Sequence, residues 1–261
     1  MNQISILKIN PEKIAEEIIN FIRITVKKAG FGRVVIGLSG GIDSSAVFSL
    51  AVKALRAENV YGVMMPYGDW NKEALEDIEE LAKTLKFPQK KILAINIKPF
   101  CEPVFANLGG ANQLRKGNIM VRMRMIVLYD MAKKYNALVL GTENKTEYKL
   151  GYFTRFGDEA ADIEPIREFY KTQIYQLARF LKLPSKIIQK APTAGMWAGQ
   201  TDEGEFGFTY KEADQILFLH VDRRLSESEI IEKGFRKEIV EKVLGKMREN
   251  EFKHKLPYVI K

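Results

Sequence analysis

The chain has 261 residues, of which 46% are hydrophobic, and it carries a formal net charge of +8. This length suits one large domain or two small ones, and the apolar content is sufficient for a sizeable core. No uninterrupted apolar run is long enough for a membrane span, and the first residues lack the pattern of a signal peptide. The positive charge favours acidic partners, but no block of consecutive Lys and Arg selects nucleic acid over membranes or phosphorylated small molecules. The single cysteine, Cys101, cannot form an internal disulfide, which predicts a reducing, cytoplasmic location.

Predicted helices and strands alternate in the part of the chain that ends at Gly141. Asn10, Pro11 and Glu12 have the pattern of a helix start, and apolar residues then recur at helical spacing until Gly30. The next predicted elements are a strand at 33–38, a helix at 44–55, a strand at 60–65, a helix at 70–85, a strand at 91–97, a helix at 118–135 and a strand at 137–140. These strands are short apolar runs without polar alternation, which is typical of a parallel sheet covered by helices on both faces.

The pattern changes after Gly141. Residues 142–168 are rich in polar and aromatic side chains without a clear period, and residues 191–208 are predicted to form a mobile loop. Further helices are predicted at 170–181, 210–219, 226–233 and 235–248. We therefore expect one α/β domain over residues 1–261, a doubly wound parallel sheet with helical additions at both ends.

The stretch S-G-G-I-D-S-S, residues 39–45, follows the first predicted strand and opens a helix. Glycines and a helix start form an anion-binding turn at the carboxyl end of a strand, where open α/β sheets bind ligands. Asp43 would repel a phosphate unless a cation bridged the two groups, which favours Mg²⁺. The lysine of a Walker loop and the G-x-G-x-x-G dinucleotide fingerprint are both missing here. The alternative is an ordinary glycine turn capped by Asp43 or Ser44.

A second group of polar residues begins where the fourth predicted strand ends, so the sheet would place it beside the first turn. Glu147 could give Mg²⁺ a second carboxylate, and Arg155 offers a forked donor for phosphate or carboxylate. Asp162 could accept hydrogen bonds from hydroxyl or amide groups. The alternative is a solvated charged loop.

The turn at 39–45 resembles the pyrophosphatase loop of the N-type ATP pyrophosphatases, which split ATP while adenylating a substrate oxygen. The motifs G-T-E-N-K-T-E, G-Y-F-T-R-F-G-D and A-D-I-E-P-I, between Gly141 and Ile166, resemble the ammonia-dependent NAD synthetase family. Residues 190–195 and the pair His254 and Lys255 are similar to that family as well. The resemblance extends from about Ile14 to Pro257.

This resemblance implies a Rossmann-like (adenine nucleotide alpha hydrolase-like) fold and a homodimer. It also implies the conversion of deamido-NAD, ATP and ammonia into NAD, AMP and pyrophosphate through an acyl-adenylate. The implied ATP-binding residues are Gly37, Leu38, Ser39, Gly40, Gly41, Ile42, Asp43, Ser44, Thr142, Lys171 and Thr193. The implied deamido-NAD-binding residues are Arg122, Arg155, Asp162, His254 and Lys255. Asp43 and Glu147 would hold Mg²⁺, and Asp43, Glu147 and Lys171 would be catalytic. Some members of the family have lysine where Arg155 stands.

Three further points bear on function. Arg122 and Arg124 point in different directions on a helix, and the resemblance favours Arg122 as the ligand contact. Cys101 has no nearby histidine, which makes it a poor glutaminase nucleophile and favours free ammonia as nitrogen donor, with a separate glutaminase subunit left open. A tRNA-adenylating enzyme would need more cysteines and a basic module, so we expect neither nucleic acid nor membrane as partner. A non-catalytic ATP sensor remains the alternative of a different class.

Overall fold

Four parallel strands form the centre of the computed structural model, which describes residues 6–69, 72–197, 199–255 and 259. The strands are β1 (Val34–Gly37), β2 (Val60–Met64), β3 (Ile92–Ala94) and β4 (Leu138–Leu140). Their order is β3–β2–β1–β4, and Val34 in β1 is paired with Val60 on one side and Leu138 on the other. The chain adds β2 and β3 on one side of β1 and then adds β4 on the other side. The order of the strands therefore reverses between β1 and β4, and a ligand site is expected where these two strands end.

The described part of the chain contains twelve α-helices. They are α1 (Pro11–Lys28), α2 (Ile42–Leu55), α3 (Lys72–Thr84), α4 (Lys98–Leu108), α5 (Gln113–Tyr135), α6 (Lys145–Leu150), α7 (Lys171–Phe180), α8 (Ser185–Gln189), α9 (Asp202–Phe206), α10 (Tyr210–Leu217), α11 (Glu227–Glu232) and α12 (Lys237–Glu249). Within the described ranges, no helix combines the length and apolarity needed to cross a bilayer.

Alternate residues of each strand enter two different apolar layers. Val34 and Ile36 pack into a layer with Ile22 of α1 and Phe48 of α2. The intervening Val35 packs into the opposite layer, which includes residues of α4 and α5. A third cluster joins α6 to α10, α11 and α12. The doubly wound parallel sheet predicted from the sequence is therefore confirmed, and the third cluster forms the helical addition at the carboxyl end.

Several predicted elements differ from those observed. α4 and α6 were not predicted; α4 contains Pro103, and α6 is only six residues long, so neither gives a clear helical period. β3 covers three residues rather than the predicted 91–97, and α9 lies inside the predicted loop 191–208. α5 begins at Gln113, five residues before the predicted start. The predicted start of α3 at residue 70 lies outside the described residues.

A short segment at Ile163 occupies the sheet position beside β4. Ile163 forms an isolated parallel bridge with Leu140, and its carbonyl accepts the Gly141 amide at 2.8 Å. The Asp162 carboxylate accepts the Val139 amide at 2.7 Å. These contacts hold the segment against the edge of the sheet, and they bring residues 162–164 close to the chain that leaves β4.

Candidate active site

The turn between β1 and α2 is held by its own hydroxyl groups. Ser39 Oγ accepts the Gly41 amide at 3.2 Å, while Ser44 Oγ and Ser45 Oγ donate to the Gly41 carbonyl at 3.1 and 2.8 Å. Gly40 has φ +76°, and a Cβ at this position would lie 2.9 Å from the Cβ of Ala74 in α3. Only glycine both adopts this positive φ easily and leaves room for Ala74, so the close packing of α3 fixes the shape of the turn.

A charged centre lies directly beside this turn. Lys171, the first residue of α7, places its Nζ 2.5 Å from Asp43 Oδ2 and 3.1 Å from Glu147 Oε1. Asn144 Nδ2 donates to Asp43 Oδ1 at 3.0 Å. The first turns of α2, α6 and α7 thus bring together the three residues that the sequence predicts to be catalytic.

A capping box at the start of α6 orients Glu147. The Asn144 side chain accepts the Glu147 amide at 3.0 Å, and Glu147 Oε2 accepts the Asn144 amide at 3.4 Å. Glutamate at this position of a capping box turns back toward the helix start. Its other oxygen, Oε1, therefore faces Lys171, on the side where Asp43 lies.

The electrostatics of the centre leave Glu147 close to its titration point. Burial raises the pKa of Glu147 to about 7, with repulsion from Asp43 and Asp202 adding to this effect and Lys171 opposing it. Burial disfavours the charged form of Lys171, but Asp43 and Glu147 outweigh that effect and raise its pKa above the usual value. Lys171 therefore remains a cation, and Glu147 changes its charge easily when a further cation approaches.

The donor set of this centre fits Mg²⁺. Asp43 and Glu147 both reach the same Lys171 Nζ, so their carboxylates are close enough to share one cation. Mg²⁺ prefers one or two carboxylates and completes its shell with water and phosphate oxygens. Among the described residues, no group of three or more His, Cys, Asp or Glu could hold a metal without such help.

A cavity of about 730 Å³ opens between the turn, the charged centre and residues 190–202. It is lined by all the predicted ATP-binding residues except Gly40, namely Gly37, Leu38, Ser39, Gly41, Ile42, Asp43, Ser44, Thr142, Lys171 and Thr193. Glu147 lines it as well. The tertiary structure therefore brings together residues that are up to 156 positions apart (37 to 193) in one concave site.

The predicted mobile loop forms one side of this cavity and is tied down by side chains. Asp202 accepts hydrogen bonds from Tyr152 at 3.1 Å and from Tyr210 at 2.8 Å. At the beginning of the segment, Lys190 Nζ lies 2.9 Å from Oδ2 of the fully buried Asp77 carboxylate. Residues 190–197 and 199–202 thus form a cover along one side of the cavity, and this cover is anchored at both ends.

The five predicted deamido-NAD residues do not line the cavity. Arg122 is exposed and donates through Nε and Nη2 to the Arg155 carbonyl at 3.2 and 3.1 Å. The His254 ring packs 4.3 Å from the Tyr148 ring, and Lys255 pairs with Glu251. Asp162 holds the edge segment described above. Arg122, Arg155 and His254 lie around residues 148–156, next to the cavity, and their binding role stays a prediction.

Arg124 is a cavity residue that the sequence analysis missed. Its Nε donates to the Met65 carbonyl at 3.2 Å, and burial lowers the pKa of its guanidinium. Val121, Met125 and Leu128 also line the cavity: Val121 lies one turn of α5 before Arg124, Met125 is its chain neighbour, and Leu128 lies one turn after it. These four residues share one face of α5 at i, i+3, i+4 and i+7, but the spacing alone does not show that this face, rather than the face of Arg122, turns toward the site.

A parallel sheet with a glycine-rich turn at its switch point, next to a lysine and two carboxylates, defines a nucleotide-binding α/β protein. Solved structures of the adenine nucleotide alpha hydrolase-like fold have the same architecture. The family model for NAD synthase matches residues 14–257, and the chain belongs to the NAD synthase family.

Relatives and solved structures resemble the chain along nearly its whole length. It is 43% identical over 255 residues to the NH(3)-dependent NAD(+) synthetase of Fusobacterium nucleatum, covering 98% of both chains. The NH3-dependent NAD synthetase of Campylobacter jejuni, solved in complex with a nitrate ion, has a TM-score of 0.82 and 32% identity over 97% of this chain and all of that one. The NMN synthetase of Francisella tularensis has a TM-score of 0.84 and 32% identity over 97% of this chain and 99% of that one.

Proposed function

We propose that this chain amidates deamido-NAD with ammonia at the expense of ATP, giving NAD, AMP and pyrophosphate. The observation that carries the proposal is the meeting of Lys171, Asp43 and Glu147 beside the glycine turn in one cavity. Relatives named NH(3)-dependent NAD(+) synthetase that match this chain over its length support the choice of reaction.

The first step joins two anions, because the nicotinate carboxylate attacks the α-phosphorus of ATP and pyrophosphate leaves. The turn after β1 would receive the phosphates, since Gly41 and the start of α2 line the cavity and a helix start presents a positive dipole end. Lys171 stays charged and would offset the negative charge that develops on pyrophosphate. Mg²⁺ held by Asp43 and Glu147 would supply further neutralisation when bound.

The second step needs ammonia to reach the acyl-adenylate before water does. Ammonia attacks the acyl carbon, and AMP leaves. The cover at 190–202, anchored through Asp202 and Lys190, would exclude water during this step. The substrate carboxylate is itself the nucleophile of the first step, so no protein nucleophile is needed.

Ammonia is the nitrogen donor in this proposal. Cys101 is fully buried between the sheet and the α4–α5 layer, and burial raises the pKa of its thiol. A buried thiol of high pKa is a poor nucleophile for glutamine hydrolysis. A separate glutaminase subunit is not needed by this reaction, and the assay below distinguishes the two nitrogen sources.

We further propose that the protein acts as a cytoplasmic homodimer. α4 and α5 carry four exposed large apolar side chains, Phe100, Leu108, Leu114 and Ile126, which a second copy could cover. The buried free thiol of Cys101 is compatible with a reducing compartment. Sedimentation of the wild type against Ile126→Asp tests the dimer, which should shift toward monomer in the variant.

The likeness to a protein named NMN synthetase supports a second candidate acceptor, nicotinate mononucleotide. The same two steps would apply, because the reacting group is again a nicotinate carboxylate. The two acceptors differ only in the part of the molecule distant from the reacting carboxylate.

The deciding experiment incubates the purified protein with ATP, Mg²⁺ and either deamido-NAD or nicotinate mononucleotide, with ammonium or glutamine. We expect NAD and AMP in equal amounts from deamido-NAD and ammonium. Faster turnover of nicotinate mononucleotide would favour the second acceptor. ATP binding without any amide product would favour the sensor interpretation, and activity with glutamine alone would overturn the choice of nitrogen donor.

A further inference from the structure

Two buried carboxylates lie directly behind the wall of the cavity. Glu143 follows Thr142, and its side chain is 5% exposed; the side chain of Glu164 is 9% exposed. The Glu143 amide donates to Glu164 Oε2 at 3.2 Å, so the two residues share one small interior region. Neither residue is part of the Asp43–Glu147–Lys171 centre.

The region contains more carboxyl groups than basic groups. Arg167 Nη2 lies 2.9 Å from Glu143 Oε2 and 3.2 Å from Glu164 Oε1, so one guanidinium serves two carboxylates. Glu143 Oε1 is buried and has no hydrogen-bond partner among the described residues. Burial raises the pKa of Glu143 to about 9 and that of Glu164 to about 8, with Arg167 opposing both shifts. Full ionisation of the pair therefore requires one more cation.

The position of the pair connects it to the reaction cavity. A Cβ at Gly141 would overlap the Glu164 carboxylate, so this carboxylate packs directly on the Gly141 backbone. Gly141 and Thr142 line the cavity on their other side. The Arg167 guanidinium covers the Tyr148 ring at 4.8 Å, and Tyr148 also packs against His254. The carboxylates thus lie between Gly141 in the cavity wall and Arg167, which covers Tyr148, the neighbour of His254.

We propose that Glu143 and Glu164 form an ammonium-binding site that takes one proton from NH₄⁺ and releases NH₃ past Gly141 to the acyl-adenylate. The unpartnered Glu143 oxygen and the excess of carboxyl groups over guanidinium groups suit a small cation with N–H donors, and ammonium is the cationic substrate of the proposed reaction. The proton passes to a carboxylate. The nitrogen lone pair then forms the C–N bond, the C–O bond to AMP breaks, and the second proton leaves with AMP. This inference rests on the proposed function.

The kinetic test varies ammonium at saturating ATP and deamido-NAD, in sodium buffer at constant ionic strength. For Glu143→Gln and Glu164→Gln we expect the KM for ammonium to rise about tenfold or more, with the KM values for ATP and deamido-NAD within twofold of wild type. Glu168→Gln is the matched control, because Glu168 lies on the same segment and its side chain is 83% exposed. A fall in kcat at an unchanged ammonium KM in both variants would overturn the proposal, since it indicates a purely structural role.

A binding measurement separates this site from the proposed function. We expect ammonium chloride to raise the Tm of the substrate-free wild type above its value in tetramethylammonium chloride, and Glu164→Gln to abolish the difference. The same rise with potassium chloride, together with competition against ammonium in the assay, would support a site for small monovalent cations that ammonium occupies. Equal Tm values in all three salts would show that the pair only shares a proton. If no NAD forms, the proposed reaction fails, whereas this measurement still decides whether the cation site exists.

Discussion

At the scale of single residues, the site depends on one lysine that serves two carboxylates. Lys171 is 3% exposed, and Asp43 and Glu147 contact the same nitrogen atom. The lysine keeps the two carboxylates together when no other cation is present. Incoming Mg²⁺ would share the carboxylates with Lys171, and the pKa of Glu147 near 7 makes its protonation part of metal binding.

Asp43→Asn and Glu147→Gln should each lower turnover by on the order of 100-fold or more, because each removes one of two predicted metal carboxylates. The isosteric amides keep the shape of the packing, but Asp43→Asn should also lower the Tm, because the buried Lys171 loses a charged partner. Rates measured over a range of Mg²⁺ concentrations should show a weakened Mg²⁺ dependence. Glu80→Gln, an exposed change on α3, serves as control. Near-normal rates in both site variants would remove the proposed metal site.

Asn144 caps α6 and also donates a hydrogen bond to Asp43. Comparison with the cap of α11, which makes no hydrogen bond to Asp43, separates these two roles. Asn144→Ala removes the cap of α6 and the hydrogen bond to Asp43, whereas Ser226→Ala removes only the equivalent capping box of α11. Urea denaturation should show a loss of about 1 kcal/mol in both variants. Only Asn144→Ala should also lower turnover. Equal activities would mean that the bond to Asp43 has no functional consequence.

At the scale of elements, α6, a short helix that the sequence did not predict, places Glu147, one of the three predicted catalytic residues. α6 is six residues long, yet its start carries Glu147 and its end packs against the carboxyl-terminal helices. Gly151 ends α6 at φ +61°, and a Cβ there would overlap the Cβ of Asn250, just after α12. The third cluster therefore determines where Glu147 lies relative to the sheet.

Gly151→Ala tests this close approach, and Gly30→Ala provides its control. Both glycines have positive φ, +61° and +82°, but nothing lies within 4 Å of a Cβ at Gly30. Gly30→Ala should cost about 1 kcal/mol of unfolding free energy through backbone strain alone. Gly151→Ala should cost about 1–3 kcal/mol more, because α6 and the Asn250 region must move apart. Equal losses in urea denaturation would show that the contact is easily relieved.

At the scale of the whole molecule, buried carboxylates beside the site make stability depend on pH. Burial raises the folded-state pKa of Glu143 to about 9 and of Glu164 to about 8, against roughly 4.3 for a glutamate in an unfolded chain. A carboxyl group with a raised folded pKa contributes stability that is fully present below the unfolded pKa. That contribution is lost as the pH rises through the folded pKa.

The free energy of unfolding should therefore fall as the pH rises from about 4 to about 9, in the absence of ammonium and potassium. Between about pH 6 and pH 9, Glu164→Gln should reduce this fall by on the order of 2 kcal/mol, because the glutamine cannot ionise and the remaining carboxylate pairs with Arg167. Urea denaturation at a series of pH values measures the slope. Parallel slopes for wild type and variant would contradict the raised pKa of Glu164.

Most of the fold follows from local patterns, and the exceptions have physical reasons. Apolar runs such as 33–38 and 60–65 predict buried parallel strands, and these strands are present, although one residue or more shorter. α4 and α6 lack a clear period because one contains a proline and the other is too short. The confinement of residues 1–261 to one domain stays a prediction, and so do the roles of Arg122, Arg155, Asp162, His254 and Lys255 in binding.

The sequence alone determined the parallel sheet, the glycine-rich turn at 39–45 and the family, because these depend on residue types at short spacing. Only the tertiary structure decided that Arg124 rather than Arg122 faces the cavity, that Lys171 bridges Asp43 and Glu147, and that Glu143 meets Glu164 behind Gly141. These contacts join residues that are distant in the chain. Their geometry depends on how α5, α6 and α7 pack around the end of the sheet, and no local pattern encodes that packing.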